Sequence, residues 1–299
     1  MDMKTLGAGD IQIRDPFVYL EKGVYYLYGT TDKDPWKAPG EGFLCYQSDD
    51  LRRFERPVRV FTPPPGFWGT HNFWAPELHA YEGKYYLFAS FKAQGRARAT
   101  AILRADSPLG PFLPWGAEQV TPEGWECLDG TLHVDGAGQP FLVFCHEWVQ
   151  EGGGTVCAKR LKRDLSGAEG EVMPLFAAQD AHWAKSIRHS SGVTGFVTDG
   201  PFLFSGREKL FMLWSSFTGA GYALGLSISQ TGTVQGPWAH LERPLYEGDG
   251  GHGMLFPDKA GGLNLSLHAP NKTPLERPRF FPVRDRGCCL TLDDMEAET

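Results

Sequence analysis

A strand–turn–strand unit recurs five times in this chain of 299 residues, and this recurrence restricts the possible folds more than any other feature. The first copy runs from Ile13 to Tyr19, turns at Glu21-Lys22-Gly23 and returns through apolar residues 24–31. Later copies open 53 to 70 residues apart; the five openings are Asp15, Ala75, Asp129, Asp199 and His252. Repeats of such length built from short strands indicate a propeller. Five copies therefore predict an all-β fold, a five-bladed β-propeller.

The composition agrees with many short strands joined by tight turns, since the chain has 37 Gly, 22 Pro and 13% aromatic residues. Five units of this length use nearly the whole chain, so we expect residues 1–299 to form a single domain. We also expect residues 1–12 to pair with the C-terminal end of the chain, because one terminus often completes the last blade. The six cysteines lack CxxC spacing, which favours reduced thiols over a metal site.

Charge and hydropathy exclude several classes of partner. The net charge is −7 and no basic cluster stands out, which argues against nucleic acid as a partner. No apolar run approaches the roughly 18 residues of a membrane helix, so we expect no membrane partner. The first residues lack the apolar core of a signal peptide, which predicts a cytoplasmic protein, although a secreted chain without its leader would look the same. The oligomeric state is left open.

Three of the five openings carry a carboxylate: Asp15, Asp129 and Asp199. The first strand of a propeller blade lies nearest the central axis, so these side chains are expected to converge there. Acids held together shift each other's pKa. Hydrolysis of a glycosidic bond requires one carboxylic acid to protonate the leaving oxygen and one carboxylate to activate water. The alternative is structural: Asp-Gly is a turn dipeptide, which applies to Asp129 and Asp199, and Asp15 could cap the start of its strand.

The motifs at the openings resemble those of glycoside hydrolase family 43 over about residues 10–285. They are Arg14-Asp15-Pro16, Trp74-Ala75-Pro76-Glu77, Asp129, Asp199-Gly200-Pro201 and Gly251-His252. The resemblance implies a five-bladed propeller with inverting glycosidase activity, mostly on arabinofuranosides and xylosides. It further implies that Asp15 is the general base, that Asp129 sets the pKa and orientation of the acid, and that Asp199 is the general acid.

One position departs from the family pattern, because the acid is normally Glu and here it is Asp199. Asp is shorter by one methylene, roughly 1.5 Å of reach, and a proton donor must come within about 3 Å of the leaving oxygen. Either the surrounding loop compensates, or another residue donates the proton. The candidate is Glu147, which should emerge near Asp129 at the end of a second strand. A salt-bridged rim residue is the alternative reading of Glu147.

Aromatic and polar residues near the strand starts are candidates for binding sugar. Trp74 is the first choice for the wall of the pocket, and the further candidates are His71, Glu77, Trp183 and Arg279. The alternatives are that Arg279 is solvated or salt-bridged and that some of the tryptophans belong to the core. No cofactor is expected to be required. The resemblance implies that His252 acts around a water molecule or a bound metal ion on the axis. A structural histidine with satisfied hydrogen bonds is the alternative.

Two loops favour a closed pocket, and hence release of single terminal sugars: the bulky segment 63–72 and the long irregular segment 177–197. Exo action combined with the substrates that the resemblance implies leads us to expect an exo-acting α-L-arabinofuranosidase that acts on plant-type oligo- or polysaccharides. The alternatives of the same fold are a β-D-galactofuranosidase and a β-xylosidase. An alternative of another class is a carbohydrate-binding propeller whose catalytic residues have decayed.

Overall fold

The computed structural model describes residues 5–189 and 192–292, whose regular secondary structure is almost entirely antiparallel β-strand. Five main sheets surround one axis as the blades of a five-bladed β-propeller, which confirms the predicted fold class. The expected domain of residues 1–299 extends at both ends beyond the described residues. No helix in the described ranges is long and apolar enough to cross a membrane.

The first three blades cover the chain from Leu6 to Ala177. Blade one contains β1 (Leu6–Gly7), β2 (Arg14–Glu21), β3 (Val24–Thr30), β4 (Phe43–Ser48), β5 (Arg53–Phe54) and β6 (Val58–Phe61). Blade two contains β7 (His71–Tyr81), β8 (Lys84–Ala93), β9 (Arg96–Ala105) and β10 (Leu113–Pro114). Blade three contains β11 (Cys127–Val134), β12 (Pro140–His146), β13 (Thr155–Leu161) and β14 (Ala168–Ala177).

The last two blades follow a connection that carries a small hairpin, β15 (Ile187–Arg188) with β16 (Thr194–Gly195). Blade four contains β17 (Asp199–Ser205), β18 (Leu210–Thr218), β19 (Gly221–Ser229) and β20 (Trp238–His240). Blade five contains β21 (Gly251–Pro257), β22 (Leu263–Ala269), β23 (Arg277–Asp285) and β24 (Leu290–Leu292). The helical elements are α1 (Trp148–Glu151) and two 3-10 turns, Ala8–Asp10 and Ala178–Asp180.

Local sequence explains the hairpins and the burial of the strands. Lys22 and Gly23 both adopt positive φ (50° and 79°), as a two-residue hairpin turn of the favoured twist requires. Glu82 and Gly83 repeat this geometry in blade two. All seven residues of β12 are buried, because the second strand of a blade packs against neighbouring blades on both faces. The apolar content of these strands therefore goes into the contacts between blades.

The N-terminal arm does not pair as expected. β1 pairs with β5, so the arm covers an edge of its own first blade instead of completing the last one. An edge strand presents unpaired N–H and C=O groups, and the nearest such edge lies in blade one. The ring is closed by other contacts, among them the hydrogen bond from the Ile13 N–H to the Glu276 carbonyl.

Each innermost strand contains a bulge at the same place. The bulged residues have φ between 46° and 57°; they are Asp15, Ala75, Asp129, Gly200 and His252. The strand pairing shifts its register there in every blade. Asp199 therefore precedes the bulge of its blade by one residue and corresponds to Arg14 and Leu128. The sequence comparison that aligned Asp199 with Asp15 was wrong by one position, because the bulge is not visible in the sequence.

The bulges are linked into a ring of hydrogen bonds between neighbouring blades. The bulge N–H donates to the preceding blade in all five cases: Ala75 to Thr30 Oγ1 (2.9 Å), Asp129 to Ser90 Oγ (3.0 Å), Gly200 to Asp129 Oδ2 (2.9 Å), His252 to Ser215 Oγ (2.8 Å) and Asp15 to His268 Nδ1 (3.1 Å). Four acceptors occupy the same second-strand position. In blade three that position is Cys145, and the carboxylate of Asp129 takes its place. This bulge ring holds the residues on the axis.

Candidate active site

A cavity of about 820 Å³ lies where the innermost strands begin. Pro35, Trp36 and Lys37 form one wall after β3, and Trp148 and Val149 of α1 form another. The segment around the β15–β16 hairpin adds Ile187, His189, Val193 and Val197. Asp15, Asp129, Asp199, Glu147 and His252 all line this cavity. The structure thus brings together the four acids and the axial histidine that the sequence singled out.

His252 lies between two of the acids on the floor of the cavity. Its Nδ1 is 3.2 Å from Asp15 Oδ1 and 3.6 Å from Asp129 Oδ2. Burial opposes protonation of His252, but the charges of Asp15 and Asp129 outweigh this effect and raise its pKa. Thr30 also donates a hydrogen bond to Asp15 Oδ2, at 2.7 Å. The imidazole therefore compensates part of the negative charge gathered on the axis.

Asp15 is held in its ionised form. Burial alone would raise the pKa of its carboxyl, but the charges of His252 and Arg14 outweigh burial and lower it below the ordinary value. Arg14 is in turn fixed by Glu276 (2.7 Å) and by Asn271 Oδ1 (2.8 Å). A carboxylate that stays ionised to low pH suits a general base that takes a proton from water.

His268 beneath Asp15 is neutral. The Asp15 N–H can only donate, so His268 Nδ1 accepts, and Nε2–H points to Asn271 Oδ1 at 3.2 Å. Burial lowers the pKa of His268 to about 3, and the nearby Arg14 charge acts in the same direction. The contact of 3.6 Å between His268 Nδ1 and Asp15 Oδ1 is therefore not an ion pair.

Asp129 and Asp199 behave in the opposite way to Asp15. Burial raises the pKa of Asp129 to about 7, and the charges of Asp199 and Asp15 add to this. Burial also raises the pKa of Asp199 to about 6, against the lowering effects of His252 and of the Tyr222 hydroxyl. Two facing carboxyl groups in one site titrate as a pair. Near pH 6 this pair retains a proton while Asp15 has lost its own.

Glu147 occupies the opposite wall and has a cationic partner. It precedes α1 as the N-cap residue, and its Oε1 lies 2.5 Å from the guanidinium Nη1 of Arg98. Both side chains are nearly buried. Arg98 also lies over the ring of Trp74 at 4.2 Å and donates to Asn72 Oδ1 at 3.2 Å. The alternative reading of Glu147 as a salt-bridged residue matches this geometry.

An aromatic corner stands at the mouth of the cavity. Trp74 and Trp36 meet edge to face with ring centroids 5.2 Å apart, and the Trp74 indole donates to the Pro35 carbonyl at 2.7 Å. Trp36 is 49% exposed, so its ring is available to a ligand. Trp74 is one of the predicted site residues, whereas Trp36 is not, because its Asp-Pro-Trp-Lys context resembles an ordinary polar loop.

Four further residues predicted to bind substrate lie outside the cavity lining. His71 contacts Thr70 Oγ1 at 2.8 Å, while Asn72 and Trp74 of the same strand line the cavity, since successive side chains point to opposite faces. Glu77 lies two residues further along β7 than the bulge, buried and 3.2 Å from His79 Nε2. Its charge nevertheless contributes to the raised pKa of His252.

The predictions that Trp183 and Arg279 bind substrate do not match their positions in the structure. Trp183 is only 7% exposed and packs against Trp214, with ring centroids 4.9 Å apart. Gly225 leaves the space for it, since a Cβ there would come within 2.4 Å of the indole. Trp183 is therefore a core residue. Arg279 lies on β23, the third strand of its blade, and is exposed outside the cavity lining.

His252 is the residue predicted to act around a water molecule or a metal ion on the axis. His252 Nε2 is buried and has no hydrogen-bond partner among the described residues. Residues 5–189 and 192–292 contain no group of three or more His, Cys, Asp or Glu side chains that could hold a metal. One imidazole nitrogen suits a water molecule better than a metal ion, which usually takes several protein ligands.

Comparisons with known proteins agree with this geometry. A family model described as "Glycosyl hydrolases family 43" matches residues 10–286. The extracellular exo-alpha-(1->5)-L-arabinofuranosidase ArbA of Cellvibrio japonicus is 26% identical over 159 residues, 48% of this chain and 43% of that protein. The extracellular endo-alpha-(1->5)-L-arabinanase 1 of Bacillus subtilis is 26% identical over 153 residues, 48% of this chain and 46% of that protein. The match thus spans less than half the length of these curated relatives.

A solved structure extends the likeness over nearly the whole chain. The endo-arabinase from Bacteroides thetaiotaomicron VPI-5482 superposes with a TM-score of 0.88 at 41% sequence identity. The superposition covers 94% of this chain and 98% of that one.

Proposed function

The chain belongs to glycoside hydrolase family 43 and is a glycoside hydrolase, and from that premise we propose that it cleaves α-L-arabinofuranosidic bonds at the ends of arabinan chains. The names of the three similar proteins, from Cellvibrio, Bacillus and Bacteroides, all refer to arabinose-containing substrates. Action at chain ends is supported by the walls around the cavity, which rise from loops of several blades and enclose a volume suited to a small ligand.

The proposed mechanism is a single displacement with inversion. Asp15, ionised and fixed by Thr30 and His252, takes a proton from the attacking water. Asp199 gives a proton to the leaving oxygen, and its pKa is raised by burial and by the charges of Glu147 and Asp15. Asp129 is assigned to orienting this donor, since its Oδ2 accepts the N–H of the adjacent Gly200. The carboxyl groups of Asp15 and Asp199 should be about 6.5–9.5 Å apart, which leaves room for the water.

The observation that carries this proposal is the opposite protonation of acids within one cavity. The pKa of Asp15 is lowered, whereas burial raises that of Asp199 to about 6. A pair of carboxyl groups whose pKa values are pushed apart by their surroundings is the arrangement that acid–base hydrolysis needs. Asp199 is preferred to Glu147 as donor, because a carboxylate committed to a buried guanidinium is poorly placed to release a proton.

No cofactor enters the proposed steps. His252 is assigned to orienting Asp15 and Asp129, with its free Nε2 directed to a water molecule on the axis.

The test is a substrate panel with the purified protein. It contains linear α-1,5-linked arabino-oligosaccharides and 4-nitrophenyl α-L-arabinofuranoside, β-D-galactofuranoside and β-D-xylopyranoside. Arabinose should be released one unit at a time, and proton NMR should show the inverted anomer first. The Asp15→Asn variant serves as the inactive control. Preference for either of the other glycosides would overturn the choice of sugar, and the same anomer as in the substrate would overturn inversion.

An endo-acting arabinanase is the second candidate, favoured by the likeness to the Bacteroides endo-arabinase. Debranched arabinan separates the two modes. Early appearance of oligosaccharides with a fast drop in viscosity would support internal cleavage, and early appearance of arabinose alone would support action at chain ends.

A further inference from the structure

Tyr222 of β19 reaches from the third strand of blade four into the site. Its hydroxyl donates to Asp199 Oδ2 at 3.0 Å. The ring is only 2% exposed, and Phe217 contacts it with centroids 5.1 Å apart. Gly251 provides the space, because a Cβ at that position would come within 2.6 Å of the ring. Nothing in the local sequence distinguishes Tyr222, since a tyrosine on a strand is most often a core residue.

The hydroxyl of Tyr222 is a fixed donor. Burial raises the pKa of Tyr222 well above its ordinary value, and the charges of Asp199 and Asp15 act in the same direction. A tyrosine that keeps its proton can donate it to a neighbouring carboxyl group, and the Tyr222 hydroxyl does so to Asp199 Oδ2. Asp199 Oδ2 therefore serves as an acceptor, which leaves Oδ1 to carry a transferable proton.

The same ring also connects the acid to the base. It stacks on His268 with centroids 5.8 Å apart and an angle of 20° between the planes. His268 is fully buried and accepts the Asp15 N–H at Nδ1. One stacked pair of rings thus touches Asp199 through the phenol and Asp15 through the imidazole. An inverting reaction depends on the spacing between these two groups.

We propose that Tyr222 and His268 are positioning residues that set the orientation of Asp199 and its distance from Asp15. This inference rests on the proposed role of Asp199 as the proton donor. A short Asp in place of the family's Glu has fewer side-chain torsions with which to reach a leaving oxygen. Fixing Oδ2 by the phenol directs Oδ1 alone towards the substrate, and the stack transmits any shift of blade four to the base.

The first test replaces Tyr222 by Phe, which removes the hydroxyl and keeps the stack. Two substrates are compared: an arabino-oligosaccharide, whose leaving group needs a proton, and 2,4-dinitrophenyl α-L-arabinofuranoside, whose leaving group does not. We expect kcat on the oligosaccharide to fall by roughly 10- to 100-fold and kcat on the dinitrophenyl glycoside to change less than about 3-fold. Equal losses on both substrates, or none, would overturn the proposal.

The pH profile gives an independent readout. The groups that face Asp199 are Tyr222, His252, Glu147, Asp15 and Asp129. Among them, the Tyr222 hydroxyl favours the ionised form of Asp199, so its removal should move the alkaline limb of kcat/KM to higher pH. A lower kcat together with an upward shift of this limb separates lost positioning from a change in protonation alone. An unmoved limb would contradict the proposal.

Tyr85→Phe is the matched control. Its hydroxyl donates to Glu21 at 2.6 Å, so it loses a bond of the same type outside the cavity, and both readouts should stay as in the native enzyme. His268→Phe keeps a ring but loses the acceptor for the Asp15 N–H, and its loss should be the same on both substrates. Asp199→Asn separates the two levels of the argument. If that variant keeps full activity on the oligosaccharide, the donor assignment fails; if it loses activity while Tyr222→Phe does not, only the positioning role fails.

Discussion

Two walls of the cavity each present a carboxyl group, and they differ in the charge of its partner. Asp199 receives a hydrogen bond from the neutral Tyr222 hydroxyl, while Glu147 lies against the cationic guanidinium of Arg98. Glu matches the family's usual acid in length, yet the geometry commits Glu147 to a buried ion pair. The shorter Asp199 has a partner that leaves one oxygen free. In the proposed mechanism, the charge of the partner, and not side-chain length alone, decides which of the two acids transfers a proton.

The largest effect is expected from exchanging the two acids for their amides. Asp199→Asn should lower kcat on arabino-oligosaccharides by roughly 10²–10⁴-fold, since it removes the proton donor. Glu147→Gln should keep kcat within about 10-fold and lower the melting temperature, because Arg98 loses its counter-charge. Steady-state kinetics and thermal unfolding of both variants measure this. The reverse pattern of kinetic losses would make Glu147 the donor.

The next largest effect is expected on the free energy of unfolding when the ion pair between Arg98 and Glu147 is broken. Arg98→Met leaves Glu147 buried without a cation, so the free energy of unfolding should fall by about 3–5 kcal/mol. Arg59→Met is the matched control, because its partner Glu41 is largely exposed and such pairs contribute about 0–1 kcal/mol. Urea denaturation followed by tryptophan fluorescence gives both values. Similar losses in the two variants would show that the Arg98 pair is not the stabilising feature we infer.

On the side of the cavity that carries Asp199, a negative charge should destabilise the fold instead of stabilising it. Asp129, which titrates together with Asp199, is the residue that tests this. Burial raises the pKa of Asp129 to about 7, well above the value of about 3.9 for an unfolded Asp. The stability due to proton uptake is complete below about pH 4 and is lost as the pH rises towards 7.

The Asp129→Asn side chain stays neutral at every pH and never places a buried charge in the site. Its melting temperature should therefore exceed that of the native enzyme by about 2–6 °C at pH 8 and by almost nothing at pH 4. Activity should fall at the same time. Asp135→Asn, in the hairpin turn of blade three, is the control and should show no such dependence on pH. A difference in melting temperature that stays constant between pH 4 and pH 8 would contradict the raised pKa.

The smallest effect sharpens the comparison within the bulge ring. Cys145→Ser introduces a hydroxyl at the position of Thr30, Ser90 and Ser215, where it can accept the Gly200 N–H. The hydrogen bond from the Gly200 N–H lowers the pKa of Asp129, and the new hydroxyl would compete for it. The pKa of Asp129 should therefore rise. The alkaline limb of kcat/KM, expected near pH 6–7 from the Asp129–Asp199 pair, should move up by a few tenths of a pH unit. Cys157→Ser on the adjacent strand is the control, and a downward shift would contradict this account.

The sequence was sufficient for the fold because the repeat is a property of spacing and turn chemistry. Lys22-Gly23 and Glu82-Gly83 predict their hairpin turns, and the number of recurring strand openings predicts the number of blades. The register of Asp199 could not be read, because a bulge adds one residue without a distinct pattern of side chains. The pairing of the N-terminal arm could not be read from the sequence either, because the arm could pair with the edge strand of more than one blade. It pairs with the edge strand β5 of its own blade.

Sequence reasoning found the acids on the axis and missed the residues that control them. Arg98 lies in a strand with alternating side chains, and nothing local shows that it faces a carboxylate 49 residues away. Tyr222 and His268 meet only because blades four and five are neighbours. Trp183 was misjudged because a tryptophan in an irregular segment can face either solvent or core, and Gly225 made the room for it in the core. Partners distant in the chain are set by tertiary packing, which no local pattern records.

The bulge ring has a consequence for the stage of folding at which the site is completed. Each blade supplies the acceptor for the bulge of the next, and the last acceptor, His268, binds the N–H of Asp15, which lies 253 residues earlier. Asp15, the proposed base, therefore gains this hydrogen bond only after the fifth blade has folded. A chain interrupted during synthesis, or cut before β22, would carry every other acid of the site and still lack an ordered base. Hydrolytic activity thus reports that the ring has closed.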